Sequence, residues 1–430
     1  MREDAAQLGL RENRAQFSLL VAVNAFVGAM VGLERTTLPL IGSEDFGLSS
    51  ATAVLSFIAA FGLAKALTNL GAGAYATRIG RRRLLIAGWT LALPVPLMIA
   101  FAPSWGWIVA ANALLGVNQG LAWSMTVVMK IDLVGPKRRG FALGLNEAAG
   151  YGGLAIAAAA SGWLASQYAA RDVLVIAAAI IAIAALVVCV VFVRDTAAHV
   201  ALEQSTHASG GAAVAPSMRE AFPQATWRAP ALRSASQAGL VNNLNDALAW
   251  GLVPLFLAAH GAGPGEIGLV AALYPAVWGI GQIWTGHWSD RVGRKSLIVA
   301  GMLLQAVALV VLALSAGAVG TAAVAAIGLG VGTALVYPTL IAAISDAVPP
   351  VARAAMVGVY RFWRDMGYVA GALIAGVVAD TVGFAGSIAI VAALTAASGL
   401  WVLFDMPARR ARTPVAAGGS AALTSSRNRC

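Results

Sequence analysis

Apolar segments of about 20 residues recur along the whole chain, each long enough to cross a hydrocarbon core roughly 30 Å thick as a helix. Charged residues are 11% of the chain and hydrophobic residues 59%, whereas a soluble domain is about one quarter charged. The segments show no alternation of period two, and lipid satisfies no open backbone groups. The sequence therefore predicts an all-α membrane protein.

Hydropathy and the positions of Gly, Pro and charged residues predict twelve spans, numbered here in chain order. They lie near 17–41, 51–75, 84–102, 105–129, 140–164, 173–193, 237–259, 267–287, 296–315, 321–345, 354–378 and 384–404. The first has no small-residue cleavage site at its end, so we expect it to be retained.

The spans divide into two groups of six. Between them lies a polar segment rich in Ala, Ser and Gly, which we predict to be a linker with one surface helix. The predicted parts are a tail at 1–16, a bundle at 17–193, the linker at 194–236, a bundle at 237–404 and a tail at 405–430.

Lys and Arg are distributed unequally between the two sides of the predicted bundle. With the N-terminus inside, 23 of the 29 fall on inner segments, and Arg171 alone falls on an outer loop. The positive-inside rule then predicts cytoplasmic termini, in a bacterial-type inner membrane. This topology accounts for the formal net charge of +10, so we expect no nucleic-acid partner.

Two loop sequences repeat each other. GAYATRIGRR at 73–82 returns as GHWSDRVGRK at 286–295, 213 positions later, and Asp132 returns as Asp346 at an offset of 214. A constant offset indicates two homologous halves. Halves related by an axis along the membrane normal would enclose a cavity at their interface near the midplane.

From about residue 17 to 404 the sequence resembles the major facilitator superfamily. The resemblance rests on the loop signature after the eighth span, formed by Gly286, Asp290, Arg291, Gly293, Arg294 and Lys295. It implies twelve helices in two pseudo-symmetric six-helix bundles, a monomer, and alternating access, with spans 1, 4, 7 and 10 lining the pathway. It also implies that each signature loop is a cytoplasmic latch that holds the halves together.

The first copy of the latch departs from the signature. It consists of Gly73, Thr77, Arg78, Gly80 and Arg81, with Thr77 at the position of the acid. Threonine can cap a helix but cannot form an ion pair. We therefore expect a weaker latch in the N-terminal half and more accessible inward-facing states.

Other segments of the sequence do not identify the transported solute. Tyr151 stands where drug antiporters of the superfamily usually have a proline, and Gly116 where they usually have an arginine. Three segments, at 129–140, 144–151 and 360–368, resemble a subgroup that includes magnetosome-associated facilitator proteins implicated in iron handling. Neither observation determines a substrate.

Ionisable residues inside spans cost roughly 2.5–3.5 kcal/mol each, so their positions are informative. For proton coupling we favour Glu34 and Asp246, on spans 1 and 7, followed by Glu147 and Asp365. Two purely structural alternatives remain open. Arg361 and Asp365 are spaced to pair with each other, and Lys130 is placed to extend its ammonium group to the membrane surface.

Further polar, aromatic and basic residues fall within the spans where a substrate pathway is expected. They are Asn24, Arg35, Lys65, Asn118, Gln119, Trp123, Asn146, Asn242, Asn243, Asn245, Trp250, Tyr337, Arg361 and Arg364.

The sequence has no phosphate-binding loop, no clustered metal ligands and no evident nucleophile with its base, so we expect no cofactor, no metal and no enzyme activity. The expected partners are a small solute, protons and membrane lipid. The leading hypothesis is a proton-coupled exporter. The alternatives are an importer of an anion or metabolite by proton symport, and a membrane scaffold or sensor that transports nothing.

Overall fold

The computed structural model describes residues 7–135, 139–207, 216–349 and 352–407. Within these ranges the side chains of 72–75, 77, 139–141, 143, 204–207, 286–287 and 290 are outside the description. The latch positions Gly73, Thr77, Gly286 and Asp290 thus lie outside the described side chains.

Twelve spans are present in the described residues. The first six are Arg14–Glu44, Ala51–Ile79, Arg81–Ala100, Trp105–Val134, Arg139–Ala165 and Ala170–Val191. Span 7 consists of Pro230–Ala247, Leu248–Leu252 and Val253–Ala259. Spans 8 to 10 are Pro264–Val292, Arg294–Ala313 and Val319–Ala347. Spans 11 and 12 form the continuous segment Arg353–Asp405, which bends at Gly383, where φ is 82°. The predicted all-α fold of two six-helix bundles is confirmed.

Nine described helices are long and apolar enough to cross a membrane, and the last of them contains both spans 11 and 12. The two spans that fail this criterion are 4 and 7, which carry Asn118, Gln119 and the Asn242 to Asp246 cluster. Both are packed inside the bundle, where neighbouring helices rather than lipid surround their polar groups. By contrast, span 6 exposes Ile176, Ile180 and Ile183, as expected of a lipid-facing helix.

The two halves have matching turns after their second spans. Gly80 and Gly293 have φ of 96° and 97° and the same ψ of 145°, a conformation that favours glycine. The next residue in each half then pairs with the end of a later span. Arg81 Nε lies 2.6 Å from Asp132, and Arg294 Nε lies 3.3 Å from Asp346. We call the face that holds both turns the basic side.

The segment between the bundles contains two described helices, Ala197–His207 and Met218–Pro223, followed by a π-helical turn at Gln224–Arg228. The first lies against the N-terminal half, where Thr196 donates a hydrogen bond to Asp132. The second lies against span 11, where Trp363 donates to Thr226. Each helix is therefore attached to a different half.

The halves approach most closely on the side opposite the basic side. A Cβ at Gly162 of span 5 would lie 2.6 Å from the Cα of Gly268 of span 8, and a Cβ at Gly376 of span 11 would lie 2.7 Å from the Cα of Thr52 of span 2. Small residues thus allow direct backbone contact between the halves. No hydrogen bond or ion pair between two described residues joins the halves on the basic side of Asn69 and Asp365.

Candidate functional site

A narrow cleft lies between the halves, from the middle of the bundle toward the basic side. Spans 2, 4 and 5 of one half and spans 10 and 11 of the other contribute its walls. The lining residues are Lys65, Asn69, Trp123, Ser124, Tyr151, Tyr337, Arg361, Arg364 and Asp365. Six of the predicted site residues are among them: Lys65, Trp123, Tyr337, Arg361, Arg364 and Asp365.

A chain of buried charges crosses the interface at this cleft. Lys65 of the N-terminal half lies 3.6 Å from Asp365 of the C-terminal half. Arg364 lies 3.8 Å from Asp365 and 3.9 Å from Asp246. Asp365 also accepts a 2.6 Å hydrogen bond from Asn69. The three ion pairs are longer than a hydrogen bond, whereas the contact with Asn69 is not.

The partners of Asp365 in this chain of charges show that the predicted pairing of Arg361 with Asp365 is wrong. Both residues lie on span 11, but the carboxylate of Asp365 faces Lys65 and Arg364 instead. None of the ion pairs between described residues includes Arg361, which lines the cleft. A contact between helices, which the spacing along one helix cannot reveal, determines the pairing.

Asp246 lies at the deep end of the charge chain and is fully buried. Its Oδ1 accepts a hydrogen bond from the Tyr274 hydroxyl, while Oδ2 has no hydrogen-bond donor among the described residues. Directly after it, the Val253 N–H donates to the Leu248 carbonyl, one residue further than in an α-helix. Pro254, which has no N–H, follows this π-helical turn, so the backbone of span 7 is irregular beside its acid.

A layer of aromatic side chains closes the deep end of the cleft. The ring of Tyr151 of span 5 contacts that of Trp278 of span 8, with centroids 3.6 Å apart and the planes tilted by 32°. The Tyr151 hydroxyl accepts a 3.2 Å hydrogen bond from Arg364. Trp250, a predicted pathway residue, is buried in this layer and stacks on Tyr368 at 6.0 Å. The layer separates the cleft from the opposite side of the bundle.

Glu34 and Arg35 lie outside the cleft, toward the opposite side, and both are buried. The Arg35 guanidinium lies over the rings of Phe57 and Phe61, at 5.1 and 4.5 Å. Neither its nitrogens nor the Glu34 oxygens form a hydrogen bond with a described residue. Among the described residues, Arg35 therefore contacts span 2 through aromatic faces and not through hydrogen bonds.

Glu147 lies beside the cleft wall rather than in it. Its Oε1 accepts hydrogen bonds from Trp123 at 3.0 Å and from Asn146 at 3.1 Å. Asn24 donates to the Asn146 carbonyl at 2.7 Å. These contacts connect spans 1, 4 and 5, so Asn24 and Asn146 hold the N-terminal bundle together and do not line the cleft.

Four of the five remaining predicted amides also connect helices. Asn118 donates to the Gly88 carbonyl and Gln119 to the Val27 carbonyl. Asn245 donates a hydrogen bond to Gln305 of span 9, and Gln305 donates one to Asn242. Asn245 also accepts a hydrogen bond from Thr395. Both polar groups of Asn243 are buried without a described partner. None of these amides is among the cleft-lining residues.

The described part of the chain contains no group of three or more His, Cys, Asp or Glu side chains that could hold a metal ion. The expectation that Lys130 extends its ammonium group to the membrane surface is wrong. Lys130 is fully buried and donates a 3.0 Å hydrogen bond to the Leu20 carbonyl.

Several functional candidates were absent from the sequence prediction. Asn69, Ser124, Tyr274 and Trp278 had no distinguishing pattern, since each is an isolated polar or aromatic residue in an apolar span. Tyr151 is distinguished in the sequence only because it stands where drug antiporters usually have a proline. The pairs of Arg81 with Asp132 and of Arg294 with Asp346 had the clearest signal, because both members recur at nearly the same offset.

Comparison with known proteins agrees with this architecture. Residues 17–236 and 235–428 each match the family described as Major Facilitator Superfamily. The chain is also similar to the Multidrug efflux pump LfrA of Mycolicibacterium smegmatis, with 39% identity over 101 residues. That match covers 23% of this chain and 20% of the relative.

Both halves of the chain match the family, and the helices form the repeated bundles and interfacial cleft that such a repeat requires. The protein is therefore a multi-pass membrane protein that belongs to the major facilitator superfamily.

Proposed function

We propose that this protein is a proton-coupled secondary transporter that exports a small solute by alternating access, across an inner membrane whose cytoplasmic face is the basic side. The observation that carries the proposal is the charge chain from Lys65 through Asp365 and Arg364 to Asp246. It joins the two halves at the cleft, where rocking of one half against the other would change its pairings.

Asp246 is the principal coupling group in this proposal, with Asp365, Glu147 and Glu34 as further acids. A coupling carboxylate must change its charge during the cycle, and burial makes the charged form costly unless a cation compensates it. Arg364 supplies that compensation at 3.9 Å. When cargo or the opposite half attracts Arg364 away, Asp246 would take up a proton, and it would release the proton when the pairing returns.

Export is the direction favoured by the similarity to an efflux pump, although that match covers a fifth of the relative. A symporter that imports an anion is the second candidate, because three cations and one acid line the cleft. The two differ in how cargo moves relative to protons. The third hypothesis, a scaffold that moves nothing, predicts no flux of either kind.

Proteoliposomes loaded with ethidium or with benzoate test the proposal under an imposed, inward-directed proton gradient. Flux is measured relative to protein-free liposomes with the probe on both sides, because neutral benzoic acid crosses a bilayer unaided. Expulsion of a probe above this reference supports export, accumulation above it supports symport, and no proton-linked flux of either probe contradicts coupled transport of these cargo types. Asp246→Asn should abolish the gradient-driven flux while it keeps the hydrogen bond from Tyr274. Asp172→Asn, an exposed acid in the first turn of span 6, is the matched control.

A further inference from the structure

The cleft has a chemical composition that points to one class of cargo. Lys65, Arg361 and Arg364 line it together with a single acid, Asp365. Asp246 and Glu147 are close by but do not line it. A molecule that enters the cleft therefore meets more positive than negative charge, in a setting that screens charge less than water does.

Arg361 is the cation available to a ligand. Lys65 faces Asp365, and Arg364 is shared between Asp365 and Asp246, whereas no ion pair between described residues includes Arg361. A guanidinium offers parallel N–H donors that match a carboxylate, and a charge-assisted pair of this kind is stronger than a neutral hydrogen bond. An anionic group beside Arg361 would compensate a charge that no acid among the described residues pairs with.

The other walls of the cleft are aromatic. Trp123 lies on one half, with Lys65 5.7 Å from its ring. Tyr337 lies on the other half, with the Arg364 guanidinium 4.3 Å from its ring. Tyr151, backed by Trp278, lies between them. Rings held at fixed positions favour a flat apolar body through offset or edge-to-face contact.

We infer that the cleft binds a small aromatic carboxylate, with the carboxylate at Arg361 and the ring among Trp123, Tyr151 and Tyr337. This inference deepens the proposed function and rests on the cleft being the transport site. A cationic aromatic compound of the same shape would be disfavoured, because it would bring a fourth cation beside one acid.

Equilibrium binding to the purified full-length protein in detergent tests the inference without any transport step. Benzoate, benzamide, benzylamine and inorganic phosphate are titrated while tryptophan fluorescence and the thermal midpoint are followed. We expect benzoate to bind at least roughly tenfold more tightly than the other three, the ratio expected from one charge-assisted hydrogen bond. Tighter binding of benzylamine overturns the charge assignment, and phosphate binding as tightly as benzoate overturns the aromatic part.

Substitutions of Arg361 then test whether the carboxylate of bound benzoate lies beside this residue. Arg361→Gln should weaken benzoate binding roughly tenfold, while Arg361→Lys retains most of it. Arg228→Gln makes the same change of charge at an exposed site outside the cleft and should have no effect. Equal weakening in Arg361→Gln and Arg228→Gln would contradict the assignment. The comparison of probes on the unmodified protein remains decisive even where a variant folds poorly.

The outcome separates this inference from the proposed function. Selective benzoate binding without proton-driven flux would leave the cargo class standing and remove coupled transport. Proton-driven flux of ethidium without benzoate binding would support coupled transport and overturn the inferred cargo class.

Discussion

The Asp380 carboxylate in the C-terminal half accepts a 2.7 Å hydrogen bond from the Ser50 hydroxyl in the N-terminal half. It also accepts hydrogen bonds from the backbone N–H groups of Ala51 and Thr52, at 2.6 and 3.1 Å. The start of span 2 is thus capped by an acid of the opposite half. Span 8, the corresponding helix, is capped within its own first turn, where Glu266 accepts from the Gly263 N–H.

Asp380→Ala should loosen the closure of the side opposite the basic side. Loss of a helix cap costs about 1 kcal/mol, so the open-to-closed ratio should rise roughly fivefold. The measurement is the labelling rate of a cysteine at Leu55, which is buried against Gly251, in a background without Cys189 and Cys430. Glu266→Ala removes a cap that does not join the halves. Equal labelling in the two variants would contradict the role assigned to Asp380.

Thr77→Asp should act on the basic side. An acid at this position restores the loop signature and allows an ion pair in the N-terminal half, so we expect fewer molecules open on that side. Reduced labelling of a cysteine at Ser124, which lines the cleft, would support the prediction. Thr77→Asn, which can cap but carries no charge, is the control, and an unchanged labelling rate in Thr77→Asp would count against a weak latch.

The two repeated ion pairs should differ in their contribution to stability. The Asp132 side chain is 10% exposed and that of Asp346 is 36% exposed. Arg81→Gln leaves a buried carboxylate without its cation and should cost on the order of 2 kcal/mol. Arg294→Gln should cost under about 1 kcal/mol, because solvent screens the more exposed carboxylate. Thermal unfolding midpoints in detergent compare the two, and a larger loss in Arg294→Gln would refute the prediction.

The inter-half pair of Lys65 and Asp365 should behave as a coupled unit in transport. Either Lys65→Gln or Asp365→Asn alone leaves the other charge buried with a changed partner, while the double variant removes both charges. We expect the double variant to lose less proton-driven flux than the sum of the two single losses, expressed as free energies. Strict additivity would show that the two side chains act independently.

Attachment of the linker helix Ala197–His207 should depend on pH. Burial lowers the pKa of His199, whose Nε2 lies 3.1 Å from Asn13 Oδ1. A histidine with a lowered pKa stabilises the attached state above its ordinary pKa of about 6.5, and this contribution is lost as the pH falls through the lowered value. The protection of residues 197–203 from hydrogen exchange, relative to their intrinsic exchange rates at each pH, should fall below about pH 6.5. His199→Gln should remove the pH dependence, and an unchanged profile in that variant would assign it to another group.

The sequence by itself determined the spans, the division into two halves and the likeness of their loops. These properties are local, because a run of apolar residues specifies a span wherever it occurs and a repeat is visible without distances. The polar residues of spans 4 and 7 are visible in the sequence too, and the structure packs both spans inside the bundle.

Only the tertiary structure decided which charges meet. Lys65 and Asp365 are 300 positions apart, and their contact depends on how spans 2 and 11 rotate and approach across the interface. The same rotation directs Asn118, Gln119 and Asn245 to neighbouring helices instead of the cleft, and it buries Lys130 against a backbone carbonyl. Hydropathy cannot specify this rotation, since in a protein-lined interior polar and apolar side chains can both be buried when a partner on another helix satisfies them.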